Sequence, residues 1–301
     1  MNTYEGIYVP LVTPFKNGDI DWESLGQSIE YYISVGVAGI VPCGSTGECC
    51  TLSHDEHNKV IQFSVEQVAG RIKVVAGTGS NSTYEAIKLS QAAEQAGADA
   101  VLVVSPYYNR PSQEGIYQYF ADVAASVNID VILYNIPART GSNISVDTVV
   151  RLSEIANIKG IKEGSGDIQQ MTDLAHHFYD QDFAILTGED TLLYQLSTLG
   201  GNGGIMAAAC VYPEQLIKVH QLVRDGKSLQ ASELDRLLRP VIKALFLEAN
   251  PVVVKYAVSL KLDIPYELRK PLLPVTESNR QRVEAAMRTV DSALSNSVMP
   301  V

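Results

Sequence analysis

Val131-Ile132-Leu133-Tyr134-Asn135-Ile136-Pro137 is a short β-branched apolar run that stops at an Asn and a Pro. Twenty-seven residues after it begins, Ile158-Lys159-Gly160-Ile161-Lys162-Glu163-Gly164 repeats the pattern and closes on a Gly. Nearly continuous apolar runs of this length belong to parallel strands covered on both faces, and the interval leaves room for one crossover helix. The same unit begins near Gly6 (GIYVPLVTPF), Gly39 (GIVPCG), Lys73 (KVVAGT), Ala100 (AVLVVSP), Phe183 (FAILTGE) and Gly203 (GGIMAAA), at intervals of 20 to 34 residues. Eight units imply an α/β chain closed as a (β/α)8 TIM barrel rather than an open doubly wound sheet.

Helix signals fill the intervals. Ser53-His54-Asp55-Glu56 and Ser82-Thr83-Tyr84-Glu85 both read as capping boxes that open helices after the second and third strands. The second of these helices is expected to stop at Gly97. Beyond about residue 225 the strand rhythm ends, and 228–249, 250–261 and 278–295 read as helices, with Pro271 and Pro274 separating the last two. The expected organisation is a barrel carrying the active site over 1–225 and a C-terminal α-helical domain over 226–301.

Composition narrows the function. With 23 Lys and Arg against 34 Asp and Glu, the 301-residue chain carries a formal charge of −11, which disfavours nucleic acid or an anionic membrane as partner. Hydrophobic residues at 46% and charged residues at 19% provide a core large enough to need no disulfide or zinc staple. No apolar stretch reaches the roughly 18 residues of a membrane span, and the first five residues carry no basic, apolar leader pattern. Cys43, Cys49, Cys50 and Cys210 lack CxxC spacing. They read as reduced thiols of a cytoplasmic protein, with no metal site.

In such a barrel, chemistry gathers where strands end and the following loops begin. Those ends hold Gly44-Ser45-Thr46-Gly47-Glu48, Pro106-Tyr107-Tyr108-Asn109, Tyr134, Arg139, Lys162-Glu163-Gly164 and Gly188-Glu189. Lys162 is the most informative, because a lysine in a central strand is costly to bury unless paired or neutral. It is either a structural lysine paired with Glu163 or solvated, or a desolvated amine able to attack a carbonyl. Tyr134 ends the preceding strand, so its phenol should lie beside Lys162, where it could move protons for a carbinolamine. Gly44–Gly47 offers backbone N–H groups and two hydroxyls as a small anion nest, but lacks the lysine of a P-loop. On its own, Arg139 reads as a surface loop residue.

Taken together, GSTGE, PYYNRPSQEG, YNIPARTG, IKEGSGD and FLEANPVVVKYA resemble the pyruvate-dependent class I aldolases of the N-acetylneuraminate lyase superfamily. Within that superfamily the chain is most similar to the dihydrodipicolinate synthase family, over nearly its whole length. The resemblance implies a (β/α)8 barrel with a helical C-terminal domain and a lyase of lysine and diaminopimelate biosynthesis. It implies that Lys162 forms a Schiff base with pyruvate and needs no cofactor, and that the enamine adds to L-aspartate 4-semialdehyde. Tyr134, Ser45 and Tyr108 would relay protons, with Tyr108 reaching in from a neighbouring subunit of a homotetramer built as a dimer of dimers. Ser45 and Thr46 would hold the pyruvate carboxylate and Arg139 that of the semialdehyde, with Ile205 and Gly188 lining the pocket. Matching positions for an L-lysine effector at a subunit interface are His54, His57, Gly79, Asn81, Glu85 and Tyr107. The alternatives are a sibling aldolase that takes an N-acetylneuraminate or keto-deoxy-sugar-acid type of substrate, or a non-catalytic sensor of pyruvate or lysine.

The chain departs from the family pattern at three places. Ser45 stands where a threonine is usual, keeping the hydroxyl but losing the methyl that restricts its rotamers, so turnover is expected to be slower. The last strand continues Met206-Ala207-Ala208-Ala209-Cys210 instead of a Ser/Val/Thr-rich run ending in Asn. Cys49 and Cys50 replace small residues near the effector positions.

Overall fold

Eight parallel strands close into a barrel in which each strand lies beside its neighbours in the chain. They are β1 (Gly6–Val9), β2 (Gly39–Ile40), β3 (Lys73–Gly77), β4 (Ala100–Val104), β5 (Asp130–Asn135), β6 (Ile158–Glu163), β7 (Ala184–Thr187) and β8 (Gly203–Ile205). β1 closes the ring by pairing with both β2 and β8. The molecule is known as a computed structural model that describes residues 3–296. Met1, Asn2 and residues 297–301, which include the start of the segment read for a leader and the last positions of the expected 226–301 domain, lie outside the described residues.

Two apolar cores follow from strand alternation, since successive side chains point to opposite faces. Tyr8, Val41, Val75, Leu102, Ile132, Tyr134, Leu186 and Ile205 fill the barrel interior. Their outward neighbours, such as Val9, Ile40, Val101, Leu133 and Ile161, pack under the helices. Gly39 is needed where it stands, because a Cβ there would lie 2.7 Å from the inward-turned Tyr8 ring.

The crossover helices are α1 (Trp22–Ser34), α2 (His54–Val68), α3 (Thr83–Gln95), α4 (Gln113–Ala125), α5 (Val146–Ser153), α6 (Ile168–His177), α7 (Leu193–Thr198) and α8 (Pro213–Arg224). Asp21, Ser53, Ser82, Ser112, Ser145 and Asp167 each accept a backbone N–H of a first turn, satisfying donors that a helix start leaves unpaired. The Ser53 box is complete, with the Glu56 carboxylate accepting the Ser53 N–H at 2.8 Å. The expected box at Ser82 is only half formed. Ser82 accepts from Glu85 N–H at 3.4 Å, but the Glu85 carboxylate turns instead to the Ser80 hydroxyl and to His54.

Three helices follow: α9 (Ser228–Leu245), α10 (Val252–Leu262) and α11 (Glu277–Asn296). The helix expected over 228–249 stops at Leu245. Phe246 to Asn250 leave its axis to form part of the cavity wall, where tertiary hydrogen bonds replace further helical ones. Among the described residues no helix is long and apolar enough to cross a membrane, and no group of three or more His, Cys, Asp or Glu side chains is placed to hold a metal.

Candidate active site

At the C-terminal mouth of the barrel lies a cavity of about 520 Å³, and Lys162 points into it from β6. Register pairs Tyr134 of β5 with Lys162 of β6, as their positions at the ends of consecutive strands require. The Lys162 ammonium nitrogen sits 4.1 Å from the centre of the Tyr134 ring. Glu163 is not its partner. It points to the opposite face of the strand, buried in hydrogen bonds from Asn135, Gln170 and the Ser165 N–H at 2.7–3.3 Å. Burial, opposed by the Asp190 charge and assisted by Arg139, brings the Lys162 amine down to about 8. The same burial pushes the Tyr134 phenol above its usual range, so it stays protonated. Gly188, at the end of β7, leaves room for the lysine stem: a Cβ there would lie 3.0 Å from both Cγ and Cε of Lys162.

Facing this pair, Ser45–Gly47 forms a single 3₁₀ turn after β2. Its first internal bond runs from Gly47 N–H to Gly44 O at 3.0 Å, so the N–H groups of Ser45 and Thr46 precede any bond within the turn. Both residues line the cavity, as does Ile205 of β8. The turn is fixed from below by Thr13, whose hydroxyl donates to Gly47 O at 2.7 Å. From the side it is fixed by Glu48, in the left-handed region at φ +54°, whose buried carboxylate meets the Lys255 ammonium of α10 at 2.6 Å.

The C-terminal segment completes the wall. Asn250 donates to the Thr46 hydroxyl at 2.9 Å, and its own carbonyl accepts from Arg139 at 2.9 Å. Arg139, exposed in the short helical turn Pro137–Thr140, therefore stands at the rim of the cavity and is held there by a tertiary bond. Asp190, at the end of the β7 loop, is buried against the cavity and accepts the Ala208 N–H. Burial raises its carboxyl to about 7. Asp190, Asn250 and Lys255 were not singled out from sequence, and Glu48 only closed its Gly-rich strand end with no role given. Asp190 follows directly on the Gly188-Glu189 strand end, and the other three fall inside GSTGE and FLEANPVVVKYA, so the motif blocks were the available signal.

Tyr108 lies outside this cavity, with 89% of its surface exposed and a positive φ of 73°. The residues expected to form an effector site fall together on a neighbouring surface. His54 meets Glu85 at 2.8 Å, Asn109 donates to Asn81 O at 2.8 Å, and Tyr107 is half-buried beside Ser80. Gly79 abuts β4, where a Cβ would strike the Val104 backbone nitrogen. His57 is buried, bonded to Gly77 O at 2.9 Å, and burial lowers its pKa.

A model of the dihydrodipicolinate synthetase family matches residues 3–290. The chain belongs to the dihydrodipicolinate synthase family. A 4-hydroxy-tetrahydrodipicolinate synthase of Syntrophus aciditrophicus is 46% identical over 285 residues, 95% of this chain and 98% of that one. The solved 4-hydroxy-tetrahydrodipicolinate synthase of Methylacidiphilum fumariolicum SolV superposes with a TM-score of 0.94 at 41% identity, covering 97% of each chain. The dihydrodipicolinate synthase of Acinetobacter baumannii, solved in complex with pyruvate, gives 0.93 at 40% identity over 96% of this chain and 99% of that one. The lysine-bound family member from Cyanidioschyzon merolae gives 0.92 at 32% identity over 97% and 99%.

Proposed function

We propose that this protein is a 4-hydroxy-tetrahydrodipicolinate synthase, a lyase of the class I aldolase type, with Lys162 as its Schiff-base residue. The observation that carries this is the buried Lys162 amine, near pKa 8 and 4.1 Å from the Tyr134 ring, inside a cavity that also presents the Ser45–Thr46 turn. At pH 7 an amine of pKa about 8 is neutral in about one molecule in ten, against fewer than one in a thousand at the ordinary pKa of about 10.4. The neutral amine adds to the keto carbon of pyruvate, and the carbinolamine loses water to give an imine. The pyruvate carboxylate lies on the N–H groups of Ser45 and Thr46. Loss of a methyl proton gives an enamine, whose carbon attacks the aldehyde of L-aspartate 4-semialdehyde. The substrate's own amino group then displaces Lys162 as the ring closes, which frees the amine without hydrolysis. No cofactor takes part.

Tyr134 carries protons between the carbinolamine and solvent, with the Ser45 hydroxyl and the Tyr108 phenol of a second copy of this chain completing the path. The exposure of Tyr108 outside its own cavity suits that role, and the working assembly is a homotetramer built as a dimer of dimers. Arg139, whose planar fork suits a carboxylate, binds that of the semialdehyde. Residues 226–301 act as a helical domain that completes the active-site wall. L-lysine binds at the His54–Glu85 cluster, with Glu85 accepting its ammonium group. The test is pyruvate-dependent consumption of L-aspartate 4-semialdehyde, coupled to dihydrodipicolinate reductase. Turnover supports the assignment, and a protein that binds pyruvate covalently without consuming the semialdehyde belongs instead to a sibling aldolase.

A further inference from the structure

Two nucleophiles that the reaction does not use stand beside its carboxylate-binding turn. Cys49 and Cys50 share the 3₁₀ turn Cys49–Thr51, and their sulfurs are 3.9 Å apart. Cys50 is exposed and Cys49 is half-buried. The thiol–thiol contact with Cys49 and the nearby Arg139 guanidinium lower the Cys50 thiol, while the same contact and burial raise that of Cys49. This is the division of labour of an attacking and a resolving thiol. The other cysteines, Cys43 and Cys210, are buried, and burial raises both thiols. The pair also follows directly on the Ser45–Gly47 turn in the chain and lies near Tyr107.

We propose that Cys49 and Cys50 form a site for reversible modification by small-molecule disulfides, closing to a vicinal disulfide that disables the adjoining Ser45–Thr46 turn. This rests on the reading of that turn as the pyruvate carboxylate site. The Cys50 thiolate attacks one sulfur of the small disulfide, forming a mixed disulfide and expelling one thiolate. The Cys49 thiol then displaces the second small thiol and loses its proton. From the Cys50 thiolate and the Cys49 thiol the protein gives up two electrons and one proton, and the small disulfide leaves as one thiolate and one thiol.

Closure cannot be local to the sulfurs. Adjacent Cα atoms are about 3.8 Å apart across a trans peptide, short of the roughly 4.4–6.8 Å that a relaxed disulfide spans. The sulfurs must also approach from 3.9 Å to about 2.05 Å. The backbone of the turn has to move, and the Cys49 N–H is bonded to Gly44 O at 3.4 Å while Leu52 N–H is bonded to Cys49 O at 3.3 Å. Displacing Cys49 therefore pulls on the residue that begins the carboxylate-binding turn. The strain of the closed ring also makes the bond easy to reduce, so the modification is reversible by thiols.

The experiment treats the full-length protein with 2-hydroxyethyl disulfide and follows peptide mass, steady-state turnover and borohydride trapping of pyruvate. The expected result is loss of two hydrogens in the peptide holding Cys49 and Cys50, with pyruvate KM raised about ten-fold or more and restored by dithiothreitol. Cys49→Ser should stop at one mercaptoethanol adduct on Cys50, and Cys50→Ser should remain unmodified, each with basal turnover near that of the parent. An unmodified pair in the parent protein overturns the site. A closed disulfide with unchanged pyruvate KM overturns the coupling while leaving the Schiff-base reading intact. Failure of the reduced protein to trap pyruvate overturns that reading and the coupling together, whereas the mass measurement judges the disulfide independently.

Discussion

Replacing Lys255 with Met leaves the Glu48 carboxylate buried without its cation. The two side chains are 1% and 0% exposed and 2.6 Å apart. Glu48 keeps only the Arg269 N–H, at 3.1 Å from its other oxygen. Methionine retains most of the stem volume over the Phe15 ring, which the ammonium approaches to 4.1 Å, so the loss is mainly of charge. Removing one partner of a buried pair costs about 3–5 kcal/mol. At about 2 °C per kcal/mol for a chain of this size, melting should fall by roughly 6–10 °C. Adding Glu48→Gln removes the stranded charge, and neutral replacement of a buried pair is often close to neutral in stability. The double variant should therefore recover most of the loss in thermal melts followed by circular dichroism. A single variant melting within about 2 °C of the parent would refute the reasoning. So would a double variant no more stable than the single one.

Four further outcomes follow from the site. With the neutral Lys162 amine proposed as the nucleophile and burial bringing it down to about 8, the rate of Schiff-base formation should rise about ten-fold per pH unit below 8 and level off above. The Asp190 charge raises the Lys162 pKa, so Asp190→Asn should move that limb to lower pH, read by stopped-flow trapping across pH 5–10. Gly188→Ala places a Cβ 3.0 Å from the Lys162 stem, and steady-state kinetics should show kcat reduced about ten- to a hundred-fold with the fold retained. Glu85→Ala removes the carboxylate that His54 and Ser80 share, and inhibition titrations should show L-lysine losing its effect while uninhibited turnover persists.

Much of the barrel was legible because most strands are nearly continuous apolar runs, and that pattern survives without knowledge of its neighbours. The Tyr134–Lys162 juxtaposition was legible for a similar reason, since residues ending consecutive parallel strands are register partners. The bracing of the Ser45–Gly47 turn was not. Asn250 reaches Thr46 across 204 positions and Lys255 reaches Glu48 across 207, and no periodicity reports contacts that long. Leu245 ends its helix without a Gly or Pro before Pro251, because the chain is drawn away by those same contacts. The half-formed box at Ser82 has a related cause. Glu85 had the right spacing, but Ser80 and His54 claim its carboxylate, and His54 is brought there only by the fold.

The central claim is that Lys162 bonds covalently to pyruvate. The direct measurement is borohydride reduction of the protein with pyruvate, followed by mass mapping of the adduct. A single pyruvate-derived adduct on Lys162, absent from a folded Lys162→Ala variant, is the predicted result. No adduct, or one that persists on another residue in Lys162→Ala, would contradict it.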